Sequence, residues 1–413
     1  MKRALLSLVL CASVTASAQE DVGLPDAGLA DAGTEEPSLL DQLDQAAGSP
    51  VTKAAPAPSP NIFVRAFQSL NPDLAVIIDG VAGYAERAPL RLSGDDPDLK
   101  GDATTPAAGF NLQEVEFAFQ GAVDPYFRAD VFLTIPNLSG LEVEEAFVTS
   151  TSLPADLQVK AGVFRSALGR QNGQHLHSQS FTRRPLLNAA YLAEDGLRAP
   201  GMQVSWLVPL PFFLQLNAEV FSVGPPDSLG QPNTFGGGKR TDLTWAAELK
   251  AFAPVSDALS IYGGLNFATG LSPGLDGQPD LEGARSFLYG ADLYVKYKPA
   301  NERMSFFNVA WTTEYFMRKL GPHLDAGLYS QLVLQFARNW SAGVREDVLG
   351  LPASEIQPLT SKTSAMLIFT ATEFARLRAH VEREFAHSPD VKDSMAAYLV
   401  LEISLGAHGA HAF

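Results

Sequence analysis

Along most of this chain, apolar and polar residues alternate in twos. In the stretch 395–413, Ala397, Leu399, Leu401, Ile403 and Leu405 fall on one face and Tyr398, Val400, Glu402 and Ser404 on the other, with Phe413 last. A period of two predicts a strand, not a helix. Glu114, Glu116, Ala118 and Gln120 alternate in the same way with Val115, Phe117, Phe119 and Gly121. Gln158 and Lys160 oppose Leu157, Val159, Ala161 and Val163, while Glu248 and Lys250 oppose Trp245, Ala247 and Leu249. Asp292, Lys296 and Lys298 oppose Tyr289, Ala291, Leu293, Val295 and Tyr297. The row Arg376, Arg378, His380, Glu382 and Glu384, set against Ala375, Leu377, Ala379 and Val381, fits a solvated sheet face or a water-filled lumen better than a dry sandwich core.

The connections between these strands come in two kinds. Short turns are expected at 124–125, 153–156, 209–211, 254–257, 299–302, 338–339 and 372–373. Generally longer loops alternate with them, at 86–108, 136–140, 166–200, 223–239, 270–285, 319–321, 347–361 and 387–393. Short turns at one end and longer loops at the other are the asymmetry of an outer-membrane barrel, with the short turns periplasmic. The predicted fold is therefore all-β, a transmembrane antiparallel up-and-down barrel of about 16 strands, with about 14 or 18 as the neighbouring counts. A barrel of that size leaves room for an aqueous channel, and an even strand number returns both termini to the periplasm.

Composition adds an address. Met1, Lys2 and Arg3, the apolar run 4–12 and then Ala16-Ser17-Ala18 read as a secretory signal peptide over 1–18. Cys11 also suggests a lipoprotein signal, against which stands the bulky Leu10 before it. Cys11 is the single cysteine, so the mature chain has neither disulfides nor thiolate metal sites. Residues 19–60 are acidic and then Ala/Pro-rich, a composition expected of a disordered periplasmic segment, leaving 61–413 for the barrel. The formal charge of −16 argues against nucleic acid as a partner. No stretch approaches the roughly 18 to 20 uninterrupted apolar residues of a membrane helix, so a membrane is crossed by a closed barrel or not at all.

Candidate chemistry concentrates in 165–201. Arg165, Arg170, His175, His177, Arg183 and Arg184 cluster there in an otherwise acidic chain. Folded into the lumen, this loop would narrow the pore and set guanidinium groups where an anion passes; folded outward, it is a solvated surface loop. His175 and His177 lie two apart and share a face if extended, as a pair of zinc ligands requires, and His408 and His411 form a second such pair. Gly236-Gly237-Gly238 reads as the flexible tip of an external loop. No nucleophile elbow, His-Glu-x-x-His motif or glycine-rich phosphate loop is present.

These residues support a resemblance. The passage 177–188, through Phe181, Arg183, Arg184 and Pro185 to Asn188, followed by 194–206 from Glu194 to Trp206, resembles the loop and following strand of Gram-negative outer-membrane porins, especially the group that includes phosphate-selective porins. The ending 405–413, with His408 and His411, is similar to the endings of porin-like proteins described as zinc-regulated. The resemblance implies passive diffusion of small hydrophilic solutes or ions, usually through homotrimers, in outer-membrane lipid reached by way of the barrel assembly machinery. The lysine ladder of a phosphate-selective pore is absent. Arg165, Arg170, Arg183 and Arg184 are the expected constriction residues, and Arg376, Arg378, His380, Glu382 and Glu384 the expected lumen wall. The alternatives are a metal-responsive barrel with zinc at His175/His177 or His408/His411, and an outer-membrane hydrolase.

Overall fold

The computed structural model describes residues 73–86, 109–138, 140–193, 195–223, 234–237, 239, 241–274, 281–299, 306–352, 356–387 and 393–406. The signal peptide, the 19–60 segment, His408, His411 and Phe413 lie outside these residues. Sixteen strands run in sequence order. They are β1 (Asp73–Ala85), β2 (Gly109–Ala122), β3 (Phe127–Pro136), β4 (Glu142–Ser150), β5 (Leu157–Arg165), β6 (Arg198–Leu207), β7 (Phe213–Phe221) and β8 (Thr244–Pro254). They continue with β9 (Leu259–Leu271), β10 (Arg285–Tyr297), β11 (Asn308–Leu320), β12 (His323–Ala337), β13 (Trp340–Leu351), β14 (Thr360–Thr372), β15 (Ala375–Ala386) and β16 (Ser394–Gly406). Each pairs antiparallel with its sequence neighbours, and β1 closes the ring on β16 with Ile78 opposite Ile403 and Asp79 opposite Glu402. Closure leaves no unpaired edge, which a strand facing lipid requires.

Alternation sets the two surfaces. On β16, Leu399, Leu401 and Leu405 face outward and are exposed, whereas Tyr398, Val400 and Ser404 face inward and are buried. On β15 the outward residues are Leu377, Ala379 and Val381, and the inward ones are Arg378, His380, Glu382 and Glu384. Exposed aromatics gather at both rims. Phe127, Trp206, Tyr297, Trp311, Phe336, Trp340 and Phe374 stand at the short-turn end, with Tyr84, Phe110, Trp245 and Tyr289 towards the other. Aromatic rings in two belts around an apolar band, with Tyr and Trp adding a polar edge, are suited to the two interfaces of a bilayer.

Two expectations need correction. β10 ends at Tyr297 and β11 begins at Asn308, so the connection predicted as a short turn at 299–302 is longer. Gly236 and Gly237 are not a free tip: they are buried, as are Thr234 and Phe235, and Phe235 belongs to an apolar cluster with Ala246 and Ala268. A large phenylalanine gains more by leaving water than an external tip could offer it, so residues 234–237 turn in against the barrel wall; Gly238 lies outside the described residues.

Candidate functional site inside the barrel

The segment 166–197, between β5 and β6, folds inward. Its Ser166, Leu168, Asn172, His177, Phe181, Leu187, Asn188 and Tyr191 are at most 1 % exposed. A short helix, α1 (Leu186–Tyr191), follows Pro185, whose fixed φ suits the position before a helix. The helix packs Leu186, Leu187, Ala190 and Tyr191 against Phe316, Tyr329 and Leu349 of the wall, an apolar core within a polar lumen. The first free N–H of the helix, that of Leu186, donates to Asp347 Oδ1 at 2.9 Å.

Wall side chains satisfy much of the loop's backbone. Glu219 on β7 accepts from Ser166 Oγ at 2.5 Å and from the Ala167 N–H at 2.9 Å. Asn266 on β9 accepts from the Gly169 N–H, and Glu314 Oε1 on β11 accepts from the N–H groups of Arg170 and Gln171 at 2.9 and 2.7 Å and from Tyr329 Oη. On β13, Arg345 donates to the carbonyls of Arg183 and Arg184 while pairing with Asp347 at 2.8 Å. On β15, Arg378 donates to the Gln179 carbonyl at 2.9 Å and Arg376 to that of His177. The anchors are spread round the ring, so the loop is held across the lumen and not merely laid along one wall.

Where the loop meets β2 and β4, charge is concentrated. His175 Nδ1 lies 2.9 Å from Glu116 Oε2, its Nε2 lies 2.9 Å from Glu145 Oε2, and Glu144 Oε2 is 3.4 Å from Nδ1. Carboxylates accept, so the imidazole donates from both nitrogens. Burial alone would lower the His175 pKa, but Glu144 and Glu116 raise it well above the ordinary histidine value. His177 Nδ1 stands 3.3 Å from Glu116 Oε2, and the Phe132 ring covers His175 with centroids 4.6 Å apart. Arg165 pairs with Glu144 and, at 2.8 Å, with Asp195. Burial would raise Asp195, but Arg165, Arg184 and Arg198 hold it below the usual carboxylate range.

Two β-bulges make this crowding feasible. Phe132 pairs with Glu145 and Leu133 with Val143, leaving Glu144 as the extra residue on β4. Asp79 pairs with Glu114 and Gly80 with Leu112, leaving Gln113 extra on β2. A bulge breaks the alternation, so the consecutive pairs Gln113/Glu114 and Glu144/Glu145 are all buried.

The remaining sequence-predicted residues distribute as follows. Arg183 pairs with Glu382 at 2.5 Å beside Lys362, which is 3.7 Å from the same carboxylate. Arg183 and Glu382, together with Glu384 and Tyr398, line a small cleft. Arg184 donates to the carbonyls of Gln171 and Gln174 and lies 3.4 Å from Asp195. His380 is buried against Phe181, ring to ring at 5.6 Å. Arg376 and Arg378 both reach Glu402. Arg170 is different: its guanidinium lies over the Tyr294 ring at 3.7 Å and is half-buried. The structure thus brings Arg165, Arg184, His175 and His177 into one neighbourhood and Arg183, His380, Glu382 and Glu384 into another. Sequence reading missed the charged groups around them, Glu116, Glu144, Glu145, Asp195, Glu219, Glu314, Arg345 and Asp347, as site residues. For all but Asp195, which lies in the loop, the signal was a charged residue on the inward face of a strand.

A closed antiparallel barrel of sixteen strands with an apolar outside and a polar inside is the fold of outer-membrane porins. OprB of Pseudomonas putida aligns over 83% of this chain and 96% of its own, with a TM-score of 0.54 at 10% identity. The outer membrane channel DcaP of Acinetobacter baumannii aligns over 81% and 97%, with a TM-score of 0.51 at 10% identity. An anion-selective porin from Comamonas acidovorans aligns over 81% and 99%, with a TM-score of 0.50 at 9% identity. At these identities the likeness is one of fold. In sequence, an uncharacterized protein of Aquifex aeolicus is 32% identical over 336 residues, spanning 74% of this chain and 70% of that protein, and the chain belongs to that protein's family. No protein-family model matches the chain.

Proposed function

We propose that the protein is a passive, non-enzymatic channel of the outer membrane, through which small hydrophilic solutes or ions diffuse past the inward loop. The observation that supports this most is the loop 166–197 itself, tied by side chains to β7, β9, β11, β13 and β15 across a barrel whose strand number leaves an aqueous interior. A loop so anchored forms a fixed constriction. Both termini would be periplasmic, the protein would insert through the barrel assembly machinery, and a homotrimer is the expected assembly.

The charge arrangement bears on selectivity. Arg165 and Arg183 are matched by carboxylates and Arg184 lies among carbonyls and Asp195, so they do not offer an anion the row of free guanidinium groups expected from sequence. Arg170, stacked on Tyr294, is the constriction cation best placed to meet a solute. The likeness to phosphate-selective porins is therefore not extended to a solute.

The test is single-channel conductance of the refolded protein in planar bilayers, with reversal potentials under a salt gradient. Small stable steps are expected. Replacing Arg183 by Ala uncovers Glu382 and should move the ion preference towards cations, and Arg170→Ala should do the same. A barrel that inserts but gives no steps overturns the open-channel reading.

A further inference from the structure

We propose that Glu116, His175, His177 and Glu144 form a site for one divalent transition-metal ion of the zinc type, which ties the inward loop to the barrel wall. The inference concerns the loop's attachment and stands whether or not the channel conducts.

Geometry carries it. One ligand atom each from Glu116, His175 and His177 lies within 4.8 Å of the others, and all three side chains are buried. Ligands about 2.0–2.1 Å from a tetrahedral zinc stand roughly 3.3 Å from one another. The separations of Glu116 Oε2 from His175 Nδ1 and His177 Nδ1 are 2.9 and 3.3 Å, and that of His175 Nδ1 from Glu144 Oε2 is 3.4 Å. Three edges of the ligand polyhedron are thus close to the required length with no ion present. Behind the metal-facing nitrogen, His175 Nε2 is 2.9 Å from Glu145 Oε2, the carboxylate–imidazole arrangement that fixes the ring of a metal-bound histidine. Glu116 Oε1 is buried and receives no hydrogen bond among the described residues.

The donor set points the same way. Glu116, Glu144, Glu145 and Asp195 crowd one pocket beside Arg165, Arg184 and Arg198, with the His175 ring held between Glu116 and Glu145, so carboxylate and imidazole donors converge there. Imidazole with carboxylate suits zinc, cobalt, nickel or copper, whereas magnesium and calcium favour all-oxygen sites. The bulge at Glu144 turns both glutamates of β4 inward, one for the ion and one for the histidine behind it.

The experiment is zinc titration of the refolded full chain stripped of metal, followed by calorimetry, with cobalt(II) as the spectroscopic probe. One zinc per chain is expected, with the intense visible bands of four-coordinate cobalt displaced by zinc. Glu116→Gln and His177→Ala should each weaken binding at least tenfold, whereas the double variant His408→Ala/His411→Ala should leave it unchanged. Heat-modifiable gel mobility selects folded protein for every comparison, and the cobalt spectrum of the unmutated chain needs no variant at all. The site is overturned by the absence of stoichiometric zinc binding, by a weak six-coordinate cobalt spectrum, or by binding lost only in the His408/His411 variant.

Discussion

At the scale of single residues, the loop's position depends on close approach and on matched charge. Gly169 has φ +69°, and a Cβ there would stand 2.7 Å from Glu314 Oε2 and 3.1 Å from the Phe316 ring. Gly169→Ala therefore meets a left-handed backbone cost of roughly 1–2 kcal/mol and pushes away the carboxylate that holds the N–H groups of Arg170 and Gln171. The expected outcome is a folded barrel with noisier, larger conductance steps than the parent. Arg345 and Asp347 pair at 2.8 Å, are almost fully buried, and together hold the carbonyls of Arg183 and Arg184 and the N–H of Leu186. Arg345→Ala leaves Asp347 without its partner and should cost about 3–5 kcal/mol. Denaturant unfolding of the refolded protein measures that loss; an unchanged midpoint would show the pair to be hydrated.

The elements were legible in sequence to very different degrees. The β15 row of Arg376, Arg378, His380, Glu382 and Glu384 marked a polar face because charge recurred every second residue, and β16 was readable because Ala397, Leu399, Leu401, Ile403 and Leu405 recur at the same spacing. The sixteen strands followed from such rows and from turn chemistry, both local properties. The inward fold of 166–197 was not local: its partners Glu116, Glu219, Asn266, Glu314 and Arg345 come from strands far apart in the chain, and only closure of the ring gathers them. The acidic half of the histidine cluster was hidden by the bulges on β2 and β4, since Gln113/Glu114 and Glu144/Glu145 violate the very alternation used to assign faces. Within the loop, α1 illustrates how tertiary packing substitutes for length. Six residues are too few to be helical alone, so the contacts of Leu187 with the wall cluster must supply what the helix lacks. Leu187→Ala removes a fully buried side chain and should destabilise the loop's seating by about 2–5 kcal/mol. Limited proteolysis between β5 and β6 should then become faster while the barrel keeps its heat-modifiable mobility.

At the scale of the whole molecule, two opposite solvents meet across a single layer of strands, and that makes the barrel's two faces separable by experiment. Leu399 lies near the middle of β16, faces outward and is 47% exposed, flanked across the pair by Ala379 on β15 and Ala82 on β1. If the outer band lies in hydrocarbon, Leu399→Arg should cost about 2–4 kcal/mol when refolding into bilayers, because the charge sits close to the membrane midplane. The same change at Leu405, nearer the short-turn end of the strand, should cost far less, about 0–1 kcal/mol, because the side chain reaches the interface. Val400 lies between them on the inward face and is 1% exposed, so Val400→Thr tests packing near Arg378 without touching lipid. Refolding of the three variants into vesicles, followed by gel mobility across a urea series, should rank Leu399→Arg as the most damaging and Leu405→Arg as the mildest of the two charge insertions. Equal costs at Leu399 and Leu405 would mean that the outer face meets a uniform solvent, and the membrane-spanning reading of this barrel would then fail at its physical root.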